Sequence, residues 1–429
     1  MDITVFPAKS VSGVIRVPGD KSISHRYAML AGIAEGTSRI ANYSSGADCQ
    51  STLACIEALG IRVSRENGIV RIEGKGLDGL RQPEGELDAG NSGSTIRMLS
   101  GILAAQPFTT RISGDESLCR RPMQRIMKPL QQMGARIEAR DLQFPPLMIE
   151  GARLEPIEYR LPVASAQVKT CVLFAGLFAG GRTAVYEPAQ TRDHTELALE
   201  AFGVEVERGK GLAAVQGRAR LVGRELTVPG DLSSAAFFVV AALALPHSRL
   251  VIEGVGLNPT RSALLDFLMS SGASIRVSNL AQTAGEIVAD MVVTASAVRG
   301  GVIEKSLTAA LIDEIPVLAV LGAVSEEGLT VRDASELRVK ETDRIATVAE
   351  NLRRMGIAVE VFEDGFQVPG RQKFQAAEVN SFGDHRIAMA FSVAALLAGG
   401  ECKVHNAGAA AVSYPEFFDT LRSISNADK

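Results

Sequence analysis

One pattern recurs five times along this 429-residue chain and limits the folds that the chain can adopt. In each copy an apolar, helix-like stretch ends at a glycine and a short strand-like run follows, as in ALEAFGVEV. Leu and Ile at helical spacing bury one face of a helix, and glycine takes the left-handed conformation that ends it. The five glycines are 69 to 84 residues apart: Gly60, Gly134, Gly203, Gly272 and Gly356. A repeat near 70 residues indicates one supersecondary unit that is used several times.

A second series of motifs alternates with the first and marks where helices begin. Small or acidic residues precede an apolar helix in six places, which start at Gly19, Gly90, Ala164, Pro229, Ile312 and Gly383. Six starts and five glycine stops predict an α/β fold of six βαβαββ repeats, with a degraded stop near residues 417–424. Because a chain of this length exceeds one hydrophobic core, we expect two domains of three repeats each, with a crossing near residues 226–231.

The composition argues against several classes of protein. The chain has 45 Lys and Arg against 49 Asp and Glu, a formal net charge of -4, which does not suit a general nucleic-acid-binding protein. Its longest apolar run, Ala235 to Leu245, is shorter than the roughly 20 residues that cross a bilayer. Five dispersed cysteines without CxxC spacing fit neither a disulfide framework nor a zinc site. Since MDITVFPAKS lacks a signal-peptide pattern and no coiled-coil heptad is evident, we expect a monomeric cytoplasmic enzyme.

Several predicted helix starts carry residues that suit an anionic ligand. Ser22 and Arg26 lie at i,i+4 spacing on one face of the predicted helix, and Lys21 lies at the start of that helix. Free backbone N–H groups at a helix N-terminus, together with cations there, favour phosphate or carboxylate. Gly93 lets the backbone approach a ligand closely, and Arg121 is one of two adjacent arginines, of which one can face solvent while the other clamps a carboxylate. Capped helix starts with solvated side chains explain each motif comparably well when it is taken alone.

The segment RVKETDR, residues 338–344, is the sharpest candidate. Lys340 and Arg344 are expected on one helical face at i,i+4 spacing, a mildly destabilising pair unless an anion lies between them. Glu341 could transfer protons among these cations, and Asp313 is either an N-cap or a partly buried acid or base. A solvated, charged helix face is the alternative. If the helices converge, they form a cationic pocket with two acids, which suits metal-free acid–base chemistry on substrates that carry phosphate and carboxylate.

Together these motifs resemble those of 5-enolpyruvylshikimate-3-phosphate synthases, from about residue 5 to Phe418. The shared motifs keep their order along the chain: PGDKSISHR, GNSGSTIR, Arg121-Pro122, Ala164 to Lys169, TRDHTE, LRVKETDR and GDHRIAM. The closer likeness is to the members with Ser-Ala-Gln at residues 165–167. The resemblance implies two inside-out α/β barrel domains, residues 21–229 and residues 1–20 with 230–429, and an active site in the cleft between them.

The resemblance also implies a reaction and its residues. The enolpyruvyl group of phosphoenolpyruvate would pass to the 5-hydroxyl of shikimate 3-phosphate with release of phosphate, on the route to chorismate, without metal or organic cofactor. Shikimate 3-phosphate would contact Lys21, Ser22, Arg26, Ser165, Ala166, Gln167, Asp313 and Lys340, with Arg192 as an addition. Phosphoenolpyruvate would contact Lys21, Gly93, Arg121, Gln167, Arg344 and Arg386. Asp313 would act on the 5-hydroxyl proton, and Glu341 with Lys21 would handle the methylene proton.

Two features of the sequence qualify this resemblance. Many members carry a lysine shortly before a Phe-Pro or Tyr-Pro pair, but Val412 stands at that position before Ser413-Tyr414-Pro415. One phosphoenolpyruvate contact must therefore come from elsewhere or be dispensable. Gly93 stands where some glyphosate-tolerant members have Ala, and its missing methyl group predicts sensitivity to that inhibitor.

Two alternatives remain open at this point. UDP-N-acetylglucosamine enolpyruvyl transferases resemble this fold, but their pattern has Lys-Asn in the first motif and a loop cysteine farther upstream of Arg-Pro. Here the first motif has Lys21-Ser22, and Cys119 lies only two residues before Arg121. The second alternative is a non-catalytic anion-binding protein of the same fold. Asp313 and Glu341 argue against it, because a pocket that only binds anions does not favour carboxylates.

Overall fold

The computed structural model describes residues 1–426, and these form two compact lobes. The central lobe comprises Gly19–Pro229 together with the short segment Gln282–Glu286. The terminal lobe comprises Met1–Pro18, Gly230–Ala281 and the chain from Ile287 onward. The chain therefore leaves the terminal lobe and returns to it twice.

Helices and strands alternate along the described chain. The strands β1 to β24 are Ile3–Val5, Ser10–Arg16, Glu35–Ala41, Arg62–Glu66, Ile69–Lys75, Leu87–Asp88, Thr109–Ser113, Arg136–Arg140, Phe144–Glu150, Glu158–Arg160, Arg182–Tyr186, Val206–Gly209, Leu212–Gln216, Glu225–Thr227, Arg249–Gly256, Ser274–Thr283, Glu286–Thr294, Gly300–Ile303, Gly328–Val331, Glu360–Phe362, Gly365–Val368, Glu378–Asn380, Cys402–His405 and Ser425–Asn426. The α-helices α1 to α13 are Lys21–Ile33, Ala47–Ala58, Gly93–Leu103, Gln124–Gln132, Ala166–Gly176, His194–Ala201, Leu232–Ala244, Ala263–Ser270, Ser306–Leu311, Ile315–Val324, Arg344–Arg354, His385–Leu396 and Phe417–Ile424. Short 3-10 helices cover Leu118–Arg120, Ser335–Val339 and Ala407–Val412.

The strands form six sheets, of which five contain one four-stranded arrangement and the sixth has three strands. In the repeat from β6 to β9, β6 pairs in parallel with β7 and β9 lies antiparallel between β7 and β8, which gives the order β6-β7-β9-β8. Four further sheets contain the same arrangement: β10-β11-β13-β12, β14-β3-β5-β4, β18-β19-β21-β20 and β2-β15-β17-β16. The sixth has the order β22-β23-β1. Each lobe holds three of these sheets, and the prediction of six βαβαββ repeats is confirmed.

The glycines of the repeating pattern end the second helix of their repeats. Gly60, Gly134, Gly203, Gly272 and Gly356 lie just after α2, α4, α6, α8 and α11, and all five have positive φ, between 76° and 107°. A left-handed residue ends a helix at little cost only when it has no Cβ, so glycine is favoured there. In the sixth repeat α13 ends without a glycine, and Ser425 follows in an extended conformation. This helix end without glycine corresponds to the degraded stop expected at residues 417–424.

The first helix of each repeat is buried along most of its length and lies inside its lobe, and α10 is apolar on every side. All residues of α1 from Ile23 to Ile33 are buried, as are those of α7 from Leu232 to Leu243. A helix that is hydrophobic all round needs burial on every face. In the terminal lobe α7, α10 and α12 pack against one another, and in the central lobe α3 contacts both α1 and α5. Helices enclosed by sheets give each lobe the inside-out α/β barrel architecture. In the described part of the chain, no helix is both long and apolar enough to span a membrane.

Candidate active site

The N-terminus of α1 carries three of the predicted ligand residues of the central lobe. Asp20 caps this helix through its side chain, so the helix begins at Lys21 as expected. The Nζ atom of Lys21 lies 2.9 Å from an oxygen of Asp48, and both side chains are largely buried. One turn on, Arg26 donates from Nη1 to the carbonyl of Ser22 at 2.8 Å. The predicted placement of Ser22 and Arg26 on one helical face is thereby confirmed.

Three elements hold the guanidinium group of Arg26. In addition to the bond to Ser22, its Nε donates to Thr195 Oγ1 at 2.7 Å and its Nη2 donates to Thr170 Oγ1 at 2.8 Å. Burial lowers the pKa of Arg26 to about 10, although the carboxylates of Glu196 and Asp20 oppose the shift. Hydrogen bonds to neutral partners leave the positive charge of Arg26 available to an anion.

The loop before α3 lies against a second cation. Arg121 is 8% exposed, and its Nη2 donates to Asn91 Oδ1 at 2.8 Å and to Ser117 Oγ at 3.0 Å. A Cβ added at Gly93 would lie 3.5 Å from Nη1 of Arg121. The neighbouring Arg120 is exposed and pairs with Glu116. The expectation that the two adjacent arginines face different surroundings is confirmed.

The N-terminus of α5 meets the N-terminus of α3 through Gln167. Its Oε1 accepts a hydrogen bond from Arg97 Nη1 at 2.8 Å, and its Nε2 donates to Ser94 Oγ at 3.0 Å. Ser165 caps α5 and Ala166 is the first residue of this helix. Because Thr170 of the same helix accepts from Arg26, the starts of α1, α3 and α5 converge.

Lys169, in contrast, forms ion pairs within the protein. It is 1% exposed, and its Nζ lies 3.0 Å from Glu187 and 2.7 Å from Glu196. Two carboxylates satisfy one buried ammonium group, so this lysine of the SAQVK motif is structural.

In the terminal lobe three carboxylates surround one guanidinium group. Arg344 is 1% exposed and donates from Nε to Asp384 at 2.7 Å and from Nη2 to Glu341 at 2.6 Å. Its Nη1 lies 3.7 Å from Asp313. Burial opposes the charges of Arg344 and Asp384, but their mutual attraction outweighs it, raising the pKa of Arg344 and lowering that of Asp384. The side chains of Asp313 and Glu341 are each 18% exposed, so both carboxylates remain accessible.

Arg386 completes this group. It donates from Nη1 to the backbone carbonyl of Asp313 at 2.8 Å, and its Nη2 lies 3.9 Å from the carboxylate of Asp313. Glu314 lies 3.7 Å from Arg386, accepts a hydrogen bond from Ser233 and lies 3.8 Å from Arg261. Arg344 and Arg386 therefore lie beside the carboxylates of Asp313, Glu341 and Asp384 at the starts of α10, α11 and α12.

The expected helical face for Lys340 and Arg344 is wrong. Residues 340–343 form a bend between the 3-10 helix Ser335–Val339 and α11, which begins only at Arg344. Asp343 ends the bend because its carboxylate accepts the backbone N–H of Ala346 and so caps α11. Lys340 is half-buried in this bend, and loss of water lowers its pKa while Asp313 opposes the shift.

Several residues at the site were not singled out from the sequence. Arg97 binds Gln167 and lies 3.2 Å from the position of a Cβ on Gly93, while Asp48 is the partner of Lys21. Arg97 lies one helical turn after Gly93, so its spacing within GNSGSTIR was the available signal. Nothing local marks Asp48, because it pairs with a residue 27 positions away.

No group of His, Cys, Asp and Glu within residues 1–426 has the arrangement of a metal site. Cys119 is half-buried, and its Sγ lies 3.3 Å from the carbonyl of Gly114 and 3.4 Å from Ser113 Oγ. Val412 is the last residue of the 3-10 helix Ala407–Val412.

The chain is similar to known proteins along almost its whole length. The family model "EPSP synthase (3-phosphoshikimate 1-carboxyvinyltransferase)" matches residues 5–421. A 3-phosphoshikimate 1-carboxyvinyltransferase of Solibacter usitatus is 66% identical over 99% of this chain and 100% of its own, and that of Koribacter versatilis is 53% identical over 98% and 99%. The crystal structure of EPSP synthase from Acinetobacter baumannii superposes with a TM-score of 0.89 at 40% identity, covering 99% of this chain and 98% of its own. With sequence, fold and family model in agreement along almost its whole length, the chain belongs to the EPSP synthase family.

Proposed function

We infer that this chain transfers the enolpyruvyl group of phosphoenolpyruvate to the 5-hydroxyl of shikimate 3-phosphate. The products are 5-enolpyruvylshikimate 3-phosphate and phosphate, on the pathway to chorismate and the aromatic amino acids. The observation that carries this function is the pairing of two accessible carboxylates, Asp313 and Glu341, with Arg344. An arrangement of two acids beside buried cations suits proton transfer to and from anionic substrates.

For shikimate 3-phosphate we propose the residues at the starts of α1 and α5, with two from the terminal lobe. These are Lys21, Ser22, Arg26, Ser165, Ala166, Gln167, Asp313 and Lys340, with Arg192 as an addition. The support is local: Arg26 is oriented by three hydrogen bonds, and two helix N-termini offer backbone N–H groups to a phosphate. Arg192 is included because its charge contributes to lowering the pKa of Arg26.

For phosphoenolpyruvate we propose Lys21, Gly93, Arg121, Gln167, Arg344 and Arg386. The hydrogen bonds of Arg344 to Asp384 and Glu341 fix its guanidinium plane, and the Asp384 carboxylate balances its charge in the buried setting. A substrate anion therefore competes with Glu341 for Arg344. We propose that this competition releases Glu341 for proton transfer.

The chemistry requires one proton to leave the 5-hydroxyl and one to reach the methylene carbon of phosphoenolpyruvate. Asp313 takes the hydroxyl proton as the oxygen attacks the central carbon. Glu341, with Lys21, gives the methylene proton and removes one again when the tetrahedral intermediate loses phosphate. Carboxylates near the reacting carbon stabilise its developing positive charge, while the cations hold the leaving phosphate.

We also propose that the chain falls in the group of EPSP synthases with Ser-Ala-Gln in the shikimate phosphate site. Ser165, Ala166 and Gln167 form the start of α5, where Ala166 offers a backbone N–H and no hydroxyl. A reducing, cytoplasmic setting and a monomeric state are part of the proposal. All five cysteines are free, which suits such a compartment.

The decisive experiment measures phosphate release from phosphoenolpyruvate in the presence of EDTA. Three reactions are compared, with shikimate 3-phosphate, with UDP-N-acetylglucosamine and with neither acceptor. Release with shikimate 3-phosphate alone is the expected result and supports both the acceptor and metal independence. Release with the nucleotide sugar alone would assign the chain to the related transferase reaction.

A second experiment separates catalysis from binding. The double variant Asp313→Asn and Glu341→Gln should lose turnover by at least about a hundredfold, since two proton-transfer groups are removed. Shikimate 3-phosphate should still bind, because the cations at the starts of α1 and α5 are unchanged. Folded wild-type protein that binds both substrates but releases no phosphate would contradict the enzymatic function.

A further inference from the structure

We propose that His25 is a positioning residue that fixes the loop before α3 relative to α1, acting through a buried chain of hydroxyl groups. This inference rests on the proposed function, because it concerns how Lys21 and Gly93 are presented to phosphoenolpyruvate. The chain, here named the hydroxyl chain, consists of His25, Thr52, Thr95 and Ser92. All four residues lie in the central lobe and are 0% exposed.

The hydroxyl chain joins three helices by short contacts. His25 Nδ1 on α1 lies 2.6 Å from Thr52 Oγ1 on α2, and Thr52 Oγ1 lies 2.7 Å from Thr95 Oγ1 on α3. Thr95 Oγ1 then donates to the Oγ of Ser92, the N-cap of α3, at 2.8 Å. Apolar packing tolerates sliding of one helix past another, whereas hydrogen bonds of these lengths fix both distance and direction.

The order of protons along the chain follows from these contacts. The single hydroxyl proton of Thr95 is used toward Ser92, so Thr52 donates to Thr95 and His25 Nδ1–H donates to Thr52. These contacts therefore place a proton on Nδ1 of His25. Its Nε2 is buried and has no hydrogen-bond partner among residues 1–426. Burial, with Lys21 and Arg26 nearby, lowers the pKa of His25 well below its ordinary value while Asp20 opposes the shift, which agrees with a neutral ring.

Both ends of the hydroxyl chain adjoin proposed substrate contacts. His25 lies between Ser22 and Arg26 on α1, and Ser92 directly precedes Gly93. Thr52, in the middle of the hydroxyl chain, is also linked to Lys21 through α2. Asp48 forms the ion pair with Lys21 and lies one turn before Thr52 on this helix. Loss of one link should therefore alter the spacing of Lys21 and Gly93 without removing any substrate contact.

The test compares variants that break the chain with one that preserves it. Thr95→Val and Thr52→Val keep the side-chain shape and remove a hydroxyl, whereas His25→Leu removes the first donor. His25→Asn keeps an N–H donor near the position of Nδ1 and should restore binding. Ser100→Ala is the matched control, since its buried hydroxyl on α3 bonds, among residues 1–426, only to the carbonyl of Ile96 in the same helix.

Steady-state kinetics give the first readout. We expect KM for phosphoenolpyruvate to rise about three- to tenfold in Thr95→Val and His25→Leu, the range that loss of one buried hydrogen bond implies. KM for shikimate 3-phosphate should change less than about twofold, since Arg26 keeps its own three hydrogen bonds. Equal rises for both substrates, or no rise, in a folded variant would overturn the inference. Should His25→Leu fail to fold, the isosteric Thr95→Val carries the test.

Nitrogen NMR of protein labelled at histidine gives a readout that does not depend on turnover. The expected spectrum shows one buried neutral imidazole with a proton on Nδ1 and none on Nε2, and this signal disappears in His25→Asn. A proton on Nε2 would overturn the hydroxyl chain itself. Absence of wild-type turnover would instead overturn the proposed function and, with it, the role of the chain in substrate binding.

Discussion

Arg344 is a buried cation whose charge is compensated by neighbouring carboxylates. Its guanidinium has almost no contact with solvent, and Asp384, Glu341 and Asp313 surround it. Of these, Asp384 is fully buried and also caps α12, whereas the other two remain partly exposed. Asp384 therefore supports the charge, and the two partly exposed acids are those proposed for proton transfer.

Replacing Asp384 by Asn should destabilise the protein strongly. The amide retains a hydrogen-bonding group at the cap but leaves the buried charge of Arg344 less compensated. Breaking a buried ion pair in this way costs about 3 kcal/mol in the free energy of unfolding, measured by chemical denaturation. Asp343→Asn is the control, because Asp343 caps α11 in a far more exposed position and should cost less than about 1 kcal/mol. Equal losses in the two variants would contradict this assignment.

Gly93→Ala should weaken inhibition by glyphosate more than it weakens catalysis. The added methyl group would lie 3.2 Å from Arg97 Nη1, so this guanidinium group must shift by a few tenths of an ångström, and 3.5 Å from Arg121 Nη1, which is an ordinary contact. We expect the inhibition constant to rise at least about tenfold, a change of about 1.4 kcal/mol within the usual cost of a crowded contact. Gly85→Ala is the control, since no atom of the described residues lies within 4 Å of its added Cβ. An unchanged inhibition constant in Gly93→Ala would contradict the predicted sensitivity.

For single residues, the sequence indicates which side chains belong to the candidate site better than it indicates which residues orient them. Cations at helix starts were visible, and the structure brings Arg26, Gln167 and Gly93 together through α1, α5 and α3. Their orienting partners were not visible, because Thr195 reaches Arg26 across 169 positions of sequence. The same limit explains the misplacement of Lys340, since a capping Asp343 can end a charged stretch that has helical spacing.

Helix starts and stops were the most predictable elements. Five of the six first helices have a side-chain N-cap at Asp20, Ser92, Ser165, Asp231 or Asp384, and all five glycine stops were located. Both signals are local, because a cap bonds to backbone within three residues and a stop depends on one φ angle. The exception is α10, where Glu314 precedes the helix without a capping bond.

Gly203→Ala tests the stop signal within one repeat. Gly203 has φ of 92°, and an added Cβ would also lie 3.3 Å from Arg224 Nη2. A residue with a Cβ is strained in this conformation, so we expect a loss of about 1–2 kcal/mol in the free energy of unfolding. Gly180→Ala is the control, because an added Cβ there meets nothing within 4 Å and φ is not positive. Similar stabilities for the two variants would argue against a conformational role for Gly203.

Over the whole molecule, local patterns predict the repeats but not how the outer sheets are completed. The first sheet of the central lobe takes β14 from residues 225–227, and the last sheet of the terminal lobe takes β1 from residues 3–5. Nothing in a strand of three residues specifies a partner hundreds of positions away. The short insertion Gln282–Glu286 escaped prediction for the same reason, although it supplies Glu286 to His194 at 2.6 Å in the central lobe.

The attachment of β1 should depend on pH. His405 lies 2.8 Å from both Glu378 and Asp2, and these hydrogen bonds raise the pKa of His405 while lowering the pKa values of the two acids. Because the pKa of His405 is raised on folding, its contribution is complete below about pH 6.5 and is lost as pH rises through the higher folded value. The acids contribute above about pH 4 and lose their effect as pH falls through their lowered values.

Amide hydrogen exchange of Ile3–Val5 provides the measurement. After correction for intrinsic exchange, protection should be highest between about pH 4.5 and 6.5 and should fall toward pH 9. His405→Gln should remove the decline at high pH, because the variant has no proton to lose there. A wild-type profile that stays flat from pH 6 to 9 would contradict the role of His405.

The pairing of β1 with β23 also sets an order of events during synthesis. Ile3 pairs with Val404, so about 400 residues separate the two strands on the ribosome. At roughly 5–20 residues per second, β1 waits on the order of 20 to 80 seconds for its partner. Residues 19–229 are complete long before that, so the sheets of the central lobe can form while the first strand remains unpaired. Strand β1 is thus among the last elements to pair, and a nascent chain stalled before residue 400 would leave that strand accessible to any chaperone or protease nearby.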